Sequence, residues 1–181
     1  DGAANHPDIG VQWRFAKEAQ INHFGNGSPL FIASMKQNIK DVNQIELSKL
    51  KTIGATGSPL SEDAFIWMQD KLPKTQIISL SGGTDVCSAF IGGCTMLPVY
   101  SGYLQCNMLG AAIEAWDENK KPILNQTGEL VITQPLPSMP VFFWNDPNFK
   151  KNHTSYFEKN KGVWTHVDWI YIDPIKRVGM T

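Results

Sequence analysis

Three groups of residues could do chemistry in this chain. The first is Ser81-Gly82-Gly83-Thr84-Asp85, directly after an apolar run at residues 76–80 that reads as a buried strand. Two glycines let a ligand approach the backbone, while Thr84 brings a hydroxyl donor for a phosphate oxygen and Asp85 a hard carboxylate for Mg2+. The same string also suits a Gly-Gly strand-to-helix turn capped by Thr or Asp. The second is Thr56-Gly57-Ser58-Pro59-Leu60-Ser61, a side-chain-poor loop that ends in a helix cap. The third is Trp164-Thr165-His166-Val167-Asp168-Trp169, whose alternation puts Trp164, His166, Asp168 and Ile170 on one strand face. A solvated strand aspartate is the plainer reading of Asp168.

The elements that must position these groups follow from periodicity. Asp8 is placed to cap a helix reaching about Gln20, with Val11, Phe15 and Ala19 inward. A strand is expected at residues 21–24, a helix opened by Ser28-Pro29 at 30–36, and a strand at 51–55. Ser61 then caps a helix with Glu62 and Asp63 in its first turn and Phe65, Met68 and Leu72 inward. Strand–helix alternation calls for a parallel sheet with right-handed crossovers, whose ligands sit at the carboxyl ends of the strands. After Gly93 prolines multiply and the pattern turns to short alternating runs at 112–116, 129–133 and 163–172, with a hairpin turn at 117–122. The fold class is therefore α/β: a βαβ lobe over residues 1–95, then an antiparallel, β-rich and barrel-like lobe over 96–181.

Composition narrows the partners. Formal charge is −1 with dispersed Lys and Arg, which argues against nucleic acid and anionic membrane surfaces. Three cysteines without a CxxC pair and four histidines without zinc spacing suit free thiols in a reducing, cytoplasmic setting. The chain shows no signal peptide and no membrane-spanning apolar run, and it begins as an internal piece of a longer protein would.

In order and spacing, residues 56–61, 81–85, 127–131 and 162–169 resemble the acyl-adenylate-forming ligases. Phe143-Trp144-Asn145-Asp146 and Glu114-Ala115-Trp116 resemble the acetoacetyl-CoA synthetase branch of that family. The resemblance runs over nearly the whole chain. It implies that Gly57, Ser58 and Pro59 cover adenine, that Gly83 and Thr84 hold the α-phosphate, that Asp85 takes Mg2+, and that Asp168 accepts hydrogen bonds from both ribose hydroxyls. Gly82 stands where acetyl-specific relatives have Trp, so its missing side chain would leave room for a four-carbon acyl group; the alternative is a glycine kept for positive φ. His166 and Gly128-Glu129 read as structural. The implied reaction is acetoacetate plus ATP to acetoacetyl-AMP, then transfer to CoA with release of AMP.

The family's upstream phosphate loop and its small C-terminal domain with the adenylation lysine are not in this sequence. The resemblance thus implies a middle piece that does not turn over alone and works with the N- and C-terminal portions of a parent enzyme. A non-catalytic nucleotide- or acyl-binding module, or a decayed copy serving for interaction, is the alternative. Three departures bear on it: Val167 replaces a family glycine, Asn119-Lys120 stands where Asn-Gly would suit the hairpin, and residues 175–181 lose the family's Gly-Gly turn.

Overall fold

The computed structural model describes residues 3–37, 39, 46–173 and 178–180, the last three by their backbone. They form two compact units. One comprises Asp1–Leu80 with Gly93–Tyr103, the other Ser81–Gly92 with Leu104–Thr181. Where the change of texture placed a single division between residues 95 and 96, the units interleave: 81–92 pack with the later residues and 93–103 with the earlier ones.

In the first unit, β1 (His23–Gly27), β2 (Thr52–Thr56) and β3 (Gln76–Ser79) form a parallel sheet in that order. Helix α2 (Ser28–Lys36) leads from β1 towards β2, and α3 (Glu62–Lys71) joins β2 to β3. The start signals act as anticipated. Pro29 lies in the first turn of α2, and the Ser61 hydroxyl accepts from the Ala64 N–H at 3.4 Å to cap α3. Phe65, Met68 and Leu72 are buried.

Helix α1 (Val11–Glu18) departs from its expected face, since Trp13 and Ala16 are buried while Phe15 is 64% exposed. Trp13 decides this. Its ring meets Phe24, Phe31 and Trp67 edge-on, and its indole N–H donates to the Ser34 hydroxyl at 3.0 Å. Such burial of a large aromatic with its one donor satisfied outweighs a regular four-residue spacing. Nor does Asp8 cap the helix through its first-turn amides. Its carboxylate accepts from the Gly10 N–H and pairs with Arg14.

The second unit is antiparallel. One sheet orders β4 (Ser81–Gly83), β5 (Ser88–Gly92) and β6 (Cys106–Asn107). The other orders β10 (Val178–Met180), β9 (Trp164–Asp173), β8 (Thr127–Ile132) and β7 (Ile113–Trp116). Its core holds Phe90, Ile91, Leu130, Ile132, Trp164 and Ile170, all at most 1% exposed. The β7–β8 connection opens with a turn in which Asp117 Oδ1 accepts from the N–H groups of Asn119 and Lys121, and Lys120 takes φ 60° where a glycine would be unstrained. Of the terminal segment, residues 175–177 and 181 lie outside the described residues. No helix among the described residues is long and apolar enough to cross a membrane.

Candidate functional site

The first-unit candidate is the loop leaving the carboxyl end of β2. Gly57, Ser58 and Pro59 are exposed, and Gly57 sits at φ +80° with no atom within 4 Å of where a Cβ would be. The loop is fastened from behind. The Ser28 hydroxyl donates to the Ser58 carbonyl at 2.6 Å, and the Thr56 hydroxyl donates to the Leu80 carbonyl at 3.1 Å. A flat stretch of open backbone held in this way could cover the face of a planar ring.

The second-unit candidate begins at β4. The expected Gly-Gly turn is instead a strand: Gly82 and Gly83 pair with Ala89 and Ser88 of β5, and the turn falls at Thr84–Cys87. The physical reason is close approach. A Cβ on Gly82 would overlap the Ser88 carbonyl oxygen and come within 2.7 Å of the Ala89 Cα, so bare backbone is what lets the two strands pair here. Gly82 is not among the positive-φ residues. Its missing side chain is accounted for by strand packing, and this geometry lends the acyl-pocket role no support. Gly83 faces a side chain instead, with a Cβ there lying 2.9 Å from His166 Cε1.

Beyond β4, Thr84 and Asp85 are exposed. The Tyr156 hydroxyl, at the end of α4 (Lys150–Tyr156), donates to Asp85 Oδ2 at 2.6 Å. Burial, with the hydrogen bond and charge of Asp85 added, pushes the Tyr156 phenol up to about 12, so it is a donor throughout the neutral range.

Asp168 comes from a break in the β8–β9 ladder. Glu129 pairs with Trp169 and Val131 with Thr165, so the single residue Leu130 of β8 spans His166, Val167 and Asp168 of β9. This bulge interrupts the alternation expected along the strand. Trp164 and Ile170 stay buried, Val167 is thrown outward at 71% exposure, and the Asp168 side chain is 54% exposed. Bulges re-aim side chains in this way beside functional sites.

His166 ties these pieces together. Its ring stands edge-on to Phe90 at 4.5 Å, against Gly83, with Nε2 3.6 Å from Asp168 Oδ2. Nδ1 accepts from the Trp164 indole N–H at 3.3 Å. An indole nitrogen only donates, so the proton of the neutral imidazole belongs on Nε2, the side facing Asp168. Burial pushes the His166 imidazole below its ordinary value, against the opposing pull of Asp168, a Gly82 backbone hydrogen bond and Asp85. Asp85 and Asp168, 83 residues apart in sequence, thus both face one neutral histidine that packs against Gly83.

The groups a nucleotide would need can be tested on this geometry. One carboxylate oxygen of Asp85 is taken by Tyr156 and the residue is exposed, which leaves the other oxygen for a cation. No cluster of three or more potential metal-ligating side chains occurs among the described residues. A cation at Asp85 would therefore draw its remaining ligands from phosphate and water, which is how Mg2+ commonly binds. Asp168, half exposed and without a donor of its own, suits a pair of hydroxyls. Tyr156 was not singled out from sequence. No motif marks it, and its partner lies 71 residues away.

Val167 has φ +68°. A β-branched residue pays a steric penalty there that glycine avoids. Val167→Gly is expected to stabilise the second unit by about 1 kcal/mol, the relief of left-handed strain (about 1–2 kcal/mol) less the extra freedom of an unfolded glycine (about 0.4–1 kcal/mol). Its exposure means little packing is lost. Urea unfolding checks this, and a lower midpoint in the variant would refute the strain.

The fold is that of a segment of the CoA ligases. The solved acetoacetyl-CoA synthetase from Streptomyces lividans superposes at TM-score 0.90 with 38% identity, covering 99% of this chain and 28% of that one. An anthranilate CoA ligase solved with anthranoyl-AMP shares the fold at TM-score 0.82 and 17% identity, covering 99% of this chain and 32% of its own. Acetoacetyl-CoA synthetases of Gallus gallus and Rhizobium meliloti are each 37% identical over 175 and 170 residues, 96% and 93% of this chain and 26% of each relative. The chain is homologous to the acetoacetyl-CoA synthetases over nearly its whole length and spans about a quarter of the length of the relatives it matches. No protein-family model matches it.

Proposed function

We propose that these residues form the α-phosphate, metal and ribose contacts of an acetoacetyl-CoA synthetase, which activates acetoacetate with ATP and passes the acyl group to CoA. The observation that carries the proposal is the gathering of Gly83, Asp85 and Asp168 around His166 on the second unit, with Thr84 between Gly83 and Asp85 in the chain. Asp168 accepts from the two ribose hydroxyls. Thr84 donates to an α-phosphate oxygen, whose charge grows as the acyl carboxylate attacks, with Gly83 next to it in the chain. Asp85 holds Mg2+, which when bound lowers the negative charge on the phosphates. Taken by itself, the open backbone of the Gly57-Ser58-Pro59 loop in the first unit suits the face of a planar base. The 181 residues supply these contacts and leave the grip on the β- and γ-phosphates and the adenylation lysine to the rest of the parent chain, in a cytoplasmic setting.

The test is AMP binding to the chain by calorimetry. Asp168→Ala removes two hydrogen bonds to a charged acceptor and is expected to weaken AMP about 10–100-fold, roughly 1.5–3 kcal/mol. The same substitution should leave 2′,3′-dideoxy-AMP almost unaffected. Equal AMP affinity for wild type and Asp168→Ala would overturn the assignment. The strained Val167 beside Asp168 favours a decayed, non-catalytic copy, for which wild type would not distinguish AMP from its dideoxy analogue.

A further inference from the structure

Phe143-Trp144-Asn145-Asp146 carries family resemblance yet none of the nucleotide contacts proposed above. Its surroundings give it a task. The Asp146 carboxylate, 9% exposed, accepts from the N–H groups of Lys151 at 2.7 Å and Asn152 at 2.9 Å, fastening the first turn of α4. Phe143 meets the ring of Tyr156 edge-on at 6.2 Å, at the other end of that helix. Tyr156 also lies flat on the buried Trp164, with centroids 3.7 Å apart and planes 13° apart. A phenol in contact with two rings, one of them stacked and buried, has little freedom left. Its hydroxyl ends 2.6 Å from Asp85 Oδ2.

We propose that Tyr156 is a positioning residue for Asp85: capped into place by Asp146 and clamped by Phe143 and Trp164, it occupies one carboxylate oxygen and fixes the other towards the metal and phosphates. Asp85 is exposed on the turn that follows β4, so without this bond its side chain is free to sample several rotamers. Partners that orient a metal-binding side chain commonly contribute about 10–100-fold to metal affinity. The inference rests on the reading of Asp85 given under Proposed function.

The experiment measures ATP binding to the 181-residue chain in EDTA and across a MgCl2 titration, for wild type, Tyr156→Phe, Asp85→Asn and the double variant. Tyr156→Phe keeps the ring and its stacking and loses only the hydroxyl. It is expected to raise the Mg2+ concentration for half-maximal enhancement about tenfold, leave affinity in EDTA within about twofold, and add nothing in the Asp85→Asn background. Phe143→Leu, which loosens the clamp and spares the hydroxyl, should shift the Mg2+ requirement in the same direction by less. It also provides the test should Tyr156→Phe fold poorly. If wild type responds to Mg2+ and both variants respond identically, or if Tyr156→Phe acts equally with and without Asp85, the positioning role is wrong and the metal assignment stands. If wild type binds ATP without regard to Mg2+, the role of Asp85 falls and the positioning role with it, while the ribose contact survives. If wild type binds no ATP at all, the nucleotide reading itself fails.

Discussion

Trp164→Ala is expected to destabilise the second unit by about 3–5 kcal/mol, a large share of what holds a domain of this size folded. Trp164 is 1% exposed, lies flat on Tyr156, meets Phe157 edge-on at 5.8 Å and donates its indole N–H to His166. Alanine leaves a cavity that the surrounding sheet fills only in part. It also takes the ring away from Tyr156 and the donor away from a largely buried imidazole nitrogen. Trp169 is the internal control, five residues along the same strand and 63% exposed. Trp169→Ala should stay within about 0.5 kcal/mol of wild type. Because the chain has two compact units, hydrogen exchange of the β8 and β9 amides reads the local stability better than a single global transition. Equal protection in the two alanine variants would show that the stack on Tyr156 carries no weight.

Local signals made the βαβ half legible. The Ser61 cap, the Ser28-Pro29 start and the inward row of Phe65, Met68 and Leu72 each depend on residues a few positions apart, and the structure bears all of them out. What was misread depends on partners distant in the chain. The buried face of α1 is set by where Trp13 finds Phe24, Phe31 and Trp67, not by the spacing within the helix. Asp168 sits on a bulge that exists only in the register of β9 against β8, so strict alternation could not reveal it. Tyr156, in a polar helix of seven residues, gains meaning only from Asp85 and Trp164. Val167 was visible as a departure from the family's glycine, and the structure adds the reason that it matters, its left-handed backbone.

Gly82→Ala is the sharper test of the β4–β5 geometry, with an expected cost of about 3 kcal/mol, the upper end of what overpacking usually does. Two glycines in a row invite the reading of a turn, because flexibility is the commoner reason for glycine. Here the backbone of Gly82 is extended and the constraint is contact: a single methyl group would overlap the Ser88 carbonyl and crowd the Ala89 Cα at 2.7 Å. Both obstacles are backbone and cannot swing aside as a side chain would, so β4 must separate from β5. That movement would drag Gly83 off His166 and shift Thr84 and Asp85 beyond it. For the same reason, a bulky residue at Gly82 would report on this ladder before it reported on acyl size. Gly162→Ala separates the two ways a glycine can be required. Gly162 has φ +75° with open space around it, so the variant should cost only about 1–2 kcal/mol of backbone strain. Urea unfolding of both variants, with the protection of the β5 amides as the local readout, decides the matter. A Gly82→Ala chain no less stable than Gly162→Ala, with β5 still protected, would mean that β4 and β5 do not approach as closely as described.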